Sequence, residues 1–168
     1  MKISDALLPE FDHEMAGTRK ALARCPDDKF AFTPHPKSWP MVSLATHIVN
    51  MTGWTVDTIA TDSFDVAPPG APPHKEEPAT SNADLLARFD KNVAAARAAI
   101  AGASDEHLMA QWSLLQGGQT VFAMPRIACI RTMIMNHIIH HRGQLCIYLR
   151  LNDIPVPALY GPSADEMS

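Results

Sequence analysis

Cysteine is scarce in this chain and poorly placed for bridging. Cys25, Cys129 and Cys146 are odd in number and form no CxxC pair, which argues against a disulfide framework. They read as reduced core residues, since free cysteine is among the most buried residue types. Runs of one charge are missing as well: 14 basic and 18 acidic residues give a net charge of -4, and the basic ones are scattered. That removes the footprint of a phosphate-backbone binder, so no nucleic-acid partner is expected. No apolar run reaches the roughly 20 residues that span a bilayer, so no membrane partner is expected either. The opening "MKISDALLPEFDHEM" turns acidic before it turns hydrophobic and does not read as a signal peptide. The default compartment is the cytoplasm.

What is present suits an ordinary globular protein. The 168 residues are 46% hydrophobic and 19% charged, enough for one domain over 1–168 with a core of useful size. Leu7, Leu8, Phe11, Met15, Thr18 and Leu22 recur at helical spacing within 3–24, with Ser4 or Asp5 as a cap. Pro34, Pro36 and Pro40 then forbid a continuous helix. A second helix runs from about 42 to 61, with Leu44, His47, Ile48, Met51 and Thr55 on one stripe and Ser43 as its cap. The segment "SFDVAPPGAPPHKEEPATS" carries five prolines and reads as a surface linker with no pattern that folds. "SNAD" resembles a capping box for a third, Ala-rich helix that Gly102 stops. A short helical turn begins at Ser104, followed by a hairpin turning at Gly117 and Gly118. Pro125 stands in the first turn of a long fourth helix that ends near Leu151. The expected class is all-α: a four-helix bundle with long inter-helix connections and a small hairpin before the last helix.

Chemistry concentrates in "MNHIIHHRGQL", residues 135–145, where three histidines interrupt an oily helix. A buried imidazole needs a partner, because an unpaired polar ring costs roughly 1 to 3 kcal/mol. His137 and His141 share a stripe with Ile130, Ile134, Gln144 and Tyr148. Residues four apart on a helix lie roughly 5 to 6 Å apart at Cβ, close enough to share one ion. Such a pair is a weak signal alone, and core histidines bonded to carbonyls are common. His47, on the interior stripe of the second helix, makes a third imidazole that a bundle can bring to the same level. Three neutral imidazoles suit a divalent metal and leave a coordination position open. His140 lies on a stripe rotated away and reads as a supporting or interface residue. Gln144 either orients His141 or bonds to backbone. His13, His35, His74 and His107 sit in polar or proline-rich surroundings and read as surface residues.

Other templates fail. There is no HExxH, no Gly-rich phosphate loop, and no glutamate set of the di-iron bundles, the acids being placed on outer faces or helix flanks.

Two stretches carry a resemblance: "SWPMVSLATHIVN", and "HIIHHRGQLCIYLRLNDIPVPALYGPSADE" with its HxxxHRGQLxxYLR and YGPSxDE elements. In these the chain resembles the DinB/YfiT-like superfamily of metal-dependent bundle proteins. The resemblance implies four helices in non-sequential order, usually in a homodimer, with one divalent metal on His47, His137 and His141. Asn152 stands where members commonly have Gly, and Asn also tolerates a left-handed turn. Some relatives use bacillithiol, mycothiol or similar thiols in transferase or isomerase reactions.

The function expected is a metal-dependent, thiol-using transferase or isomerase acting on a small-molecule substrate. Zinc or nickel is favoured, with iron or manganese as alternatives and a low-molecular-weight thiol as cosubstrate. Gln144, Tyr148, His140 and Trp54 are expected around the metal or in the pocket, with catalytic residues unassigned. The alternatives are a non-catalytic metal-binding stress-response protein, a metal-hydroxide hydrolase lacking an identified acid or base, and an empty site. The fourth helix is apolar on more than one side, which favours a homodimer.

Overall fold

Four long helical stretches form where the apolar periodicity predicts them. The computed structural model describes residues 1–72 and 75–167. Helix α1 spans Ile3–Leu22, α2 Met41–Ala60 and α3 Asn82–Gly102; the last stretch begins at Arg126 and ends at Leu151. They pack α1 beside α3, α3 beside α2, α2 beside α6 (Asn136–Leu151), and α6 beside α1, an order that departs from the chain order. Phe11, Leu22, Ile48, Met51, Phe89, Ile100, Ile130 and Leu145 are fully buried between them.

The caps differ in part from expectation. Ser81 accepts from the Asp84 N–H and starts α3, and Ser104 accepts from the His107 N–H to start α4, Asp105–Met109. Ser43 caps nothing, because α2 begins two residues earlier after Pro40. At α1, Asp5 accepts from the Lys2 N–H, whereas Ser4 is buried inside the helix. After α6 the left-handed position falls on Asp153, at φ 57°, one residue beyond Asn152.

The class is mostly helical but not all-α. Strands β1 (Ser63–Asp65), β2 (Gln111–Gln116) and β3 (Gln119–Pro125) form a three-stranded sheet. The β2–β3 hairpin turns through Gly117 and Gly118 at φ 61° and 77°, the left-handed backbone for which glycine is suited. Strand β1 comes from the proline-rich linker expected not to fold, and it pairs parallel to β2. Asp65 explains the docking: its carboxylate accepts from the Gly117 and Gly118 N–H groups at 3.1 and 2.7 Å, satisfying the turn.

The fourth helical stretch is not one α-helix. A turn of α-helix, α5 (Arg126–Cys129), passes into a π-helical segment, Ile130–Met135, before α6 begins. The wider π turn shifts the phase of the apolar stripe just ahead of His137. Arg126, 2% exposed, anchors the start by donating to the carbonyls of Thr58, Gln111 and Thr61 and to Asp62. Among the described residues no helix is long and apolar enough to cross a membrane.

One acid contradicts the placement of all acids outside the core. Glu14, on the inner face of α1, is 5% exposed and pairs with Arg142 of α6, itself 2% exposed, at 2.8 Å. Tyr160 donates to the same Glu14 oxygen at 2.8 Å and accepts from Arg142 at 2.6 Å. Arg142 also donates to the Glu14 carbonyl and the Thr18 hydroxyl. The pair is therefore fully engaged, the condition under which charges are tolerated inside a protein.

Candidate metal centre

Helices α2 and α6 lie side by side, and the three expected imidazoles meet between them. One nitrogen each from His47, His137 and His141 lies within 4.8 Å of the others, a group that can hold a metal ion. The ring centroids are 5.4 Å apart for His47 and His137, 5.1 Å for His47 and His141, and 4.6 Å for His137 and His141. All three rings are half-buried.

The far nitrogen of each ring is engaged. His47 Nδ1 lies 3.0 Å from Glu76 Oε2, so the ring donates there and its Nε2 keeps a lone pair. His141 Nδ1 lies 2.7 Å from Gln144 Oε1, which can only accept. His137 is hydrogen-bonded to the Met133 carbonyl one turn back, so this ring too donates on the side away from the cluster. The consequence shows in the contact between His137 and His141, whose Nε2 atoms approach to 2.9 Å. Two such lone pairs repel unless a proton or a cation lies between them. Burial, then the charge of His47, pushes the His137 pKa down; burial does the same to His141 against the opposing bond from Gln144. Neutral rings favour a cation over a shared proton.

Two tryptophans wall the cluster. The ring of Trp39 stacks on His141 at 6.1 Å and meets His47 edge-on at 5.2 Å; Trp54 meets His47 at 5.5 Å and His137 at 6.4 Å. Trp54 thus stands against two of the three rings. Gln144 takes the first of its two expected roles, orienting His141, and its amide also meets His140 Nε2 at 3.1 Å. His140 is exposed and borders the cluster, its ring meeting that of His141 edge-on at 5.0 Å. Tyr148 acts at one remove: its hydroxyl donates to the Trp39 carbonyl at 3.1 Å and fixes that loop.

Glu76 and Trp39 are the residues sequence reasoning missed. Glu76 lies in the segment "HKEEP", with no period to mark it. Trp39 stands among the prolines ahead of α2, where no periodicity marks it. Of the histidines read as surface residues, His13 and His35 are exposed and His74 lies outside the described residues. His107 is instead half-buried, its Nε2 2.7 Å from the Ile59 carbonyl. Cys25 and Cys129 are buried as expected, and Cys146 is half-buried.

A family model described as the DinB superfamily matches residues 10–145. The chain belongs to the DinB superfamily. Its fold is shared with solved structures of two DinB-like proteins. One, from Bacillus cereus, is 22% identical with a TM-score of 0.72, over 95% of this chain and 98% of that one. The other, YjoA of Bacillus subtilis, is 16% identical with a TM-score of 0.69, over 97% of this chain and 99% of that one. No curated protein matches this DinB-superfamily chain.

Proposed function

We propose that this DinB-superfamily chain binds one divalent metal ion through His47, His137 and His141 and is a thiol-dependent transferase or isomerase. The observation that carries the metal reading is the engagement of all three far nitrogens, by Glu76, the Met133 carbonyl and Gln144. That leaves three near nitrogens with lone pairs in one small volume, and outer partners of this kind are what orient metal-bound imidazoles. The donor set fits zinc or nickel best, with iron or manganese as alternatives. When bound, the ion supplies a Lewis acid that favours the thiolate form of a thiol.

The protein's own groups do the rest. Glu76 and Gln144 hold two rings in the ligating tautomer, while Trp39 and Trp54 limit the approach of water. Three protein ligands leave a further position for a substrate atom. Hydrolysis ranks lower because Glu76, the acid at the cluster, already commits an oxygen to His47. The remaining reading is a non-catalytic metal-binding stress-response protein, in which the ion braces α2 against α6. The protein is further taken to be a cytoplasmic single domain over 1–168, a four-helix bundle carrying the sheet as an addition. A homodimer is supported by Ile147 and Leu151, one turn apart on α6 and 60% and 57% exposed. Light scattering then gives twice the 18.4 kDa of one chain, and a monomer counts against it.

Elemental analysis of untagged protein tests the metal reading. One divalent ion per chain is expected, lost in His47→Ala with the helical circular-dichroism spectrum retained. Wild-type protein that takes up no metal from solutions of zinc or nickel overturns it. Loss of thiol turnover in His47→Ala without a large fall in melting temperature favours the enzyme over the brace.

A further inference from the structure

The sheet lies against the open end of the α2–π segment pair and encloses an apolar cavity of about 320 Å³. Strand register explains its wall: Phe64 pairs with Leu114, and Leu114 with Phe122, so these three side chains form one row across β1, β2 and β3. Trp112 stands two residues before Leu114 and shares its face. Trp54 and Ile134 close the helical side, and His137 of the candidate metal centre lies at one end.

The polar groups here are few, and none is cationic. Among the described residues, Asp57, Thr58, Cys129 and His137 are such side chains lining the cavity, and no Lys or Arg does. Asp57 is exposed at the edge, where its carboxylate repels anions. The thiol of Cys129 is buried, and burial raises its pKa, so it behaves as a small apolar group. A second recess on the opposite flank of the cluster differs in having a cation beside apolar walls that include Leu44 and Ile147. It is lined by His141, Gln144 and Trp39 together with Lys37 and Ser38. Among the described residues, a cation thus stands on the His141 side of the cluster and none on the His137 side.

Size narrows the occupant. An apolar cavity of about 150 Å³ stays dry and takes up benzene; one roughly twice as large accommodates two fused rings. We propose that the cavity beneath the sheet binds an uncharged, apolar small molecule of two-ring aromatic size, presented to the metal centre from the His137 side. This deepens the metal-site reading and rests on it for the reaction, while binding itself requires only the cavity.

Isothermal titration with a matched pair of probes tests it, using 2-naphthol, neutral at pH 7, and 2-naphthoate, which is similar in size but anionic. Wild-type protein is expected to bind 2-naphthol at least tenfold more tightly than 2-naphthoate. Leu114→Trp, which fills the cavity from the sheet side, is expected to lose 2-naphthol binding by tenfold or more while keeping its zinc content. His47→Ala is expected to lose zinc and keep 2-naphthol. Equal affinity for the two probes, or no binding of 2-naphthol by wild-type protein that takes up zinc, overturns the proposal and leaves the metal reading intact. Retained 2-naphthol binding by wild-type protein that takes up no zinc overturns the metal reading alone. The wild-type comparison stands however the Leu114 variant folds.

Discussion

Removing the Glu76 carboxylate is the sharpest perturbation of the proposed site, because this residue meets His47 at the nitrogen turned away from the cluster. Its Oε2 lies 3.0 Å from His47 Nδ1, with the two side chains 23% and 12% exposed. Loss of such an outer partner typically costs 10- to 100-fold in metal affinity, or about 1.4 to 2.7 kcal/mol. The sheltered geometry places Glu76→Ala in the upper part of that range. Glu76→Gln keeps an acceptor but no charge, and neutral hydrogen bonds are about half as strong, so a loss of roughly 3- to 10-fold is expected. Competition against a chromophoric zinc chelator at pH 7.5 measures both. Glu77→Ala is the control, since Glu77 is exposed and offers only its backbone carbonyl, to Arg88. A Glu76→Ala affinity within twofold of wild type, alongside a lost site in His47→Ala, refutes the orienting role.

Three other expectations concern the buried ion pair, the imidazoles and the hairpin. Glu14→Leu strands a buried Arg142 and is expected to destabilise by about 3 to 5 kcal/mol, which is about 6 to 20 °C in melting temperature; adding Arg142→Met recovers most of it, and no recovery in the double variant counts against the pairing. His137 and His141 have depressed pKa values when folded, so below about pH 6.5 the unfolded chain binds more protons than the native one. Urea midpoints of chelated protein are thus expected to fall as pH drops below 6.5 and to level off below the folded values; an unchanged midpoint down to pH 5 contradicts the assignment. Gly117→Ala meets open space but a positive φ, so about 1 to 2 kcal/mol of backbone strain should speed amide exchange across β2 and β3; unchanged exchange removes that strain from the hairpin.

The parts of this structure that could be read in advance are those set by local periodicity. Leu7, Phe11 and Met15 repeat at helical steps and lie in the core, and the Gly-Gly pair marks its own turn. His137 and His141 were visible for the same reason, being one helical turn apart. What was hidden depends on distant partners. Asp65 makes sense of β1 only once the hairpin turn is beside it, and Glu76 acquires a role only when His47 faces it. Glu14 follows acids such as Glu10 and Asp12 on one helix, and nothing local marks it as the acid that meets a buried arginine. The π segment escaped because its residues, "IRTMIM", suit an α-helix equally well.

The most specific stretch of the resemblance, from HRGQL to the terminal YGPSADE, divides its labour between chemistry and orientation. His141 faces α2, while its neighbour Arg142 projects about 100° further round the helix and is buried against α1. Tyr160 closes over that arginine, with its ring 5.2 Å from the guanidinium carbon. Asp165 then pairs with Arg150, and Glu166 with Arg24 of the segment after α1. The tail thus fastens α6 to the α1 side of the molecule. A helix held by a buried arginine on one face cannot turn freely about its axis, and that constraint fixes the direction in which His137 and His141 point. Gly17 belongs to the same device: a Cβ there would stand 3.0 Å from Arg142 Nη1, so glycine lets the guanidinium pass closely over α1 on its way to Glu14. A sequence signature that looks like a metal motif with a conspicuous tail is, physically, a pair of imidazoles and the clamp that aims them.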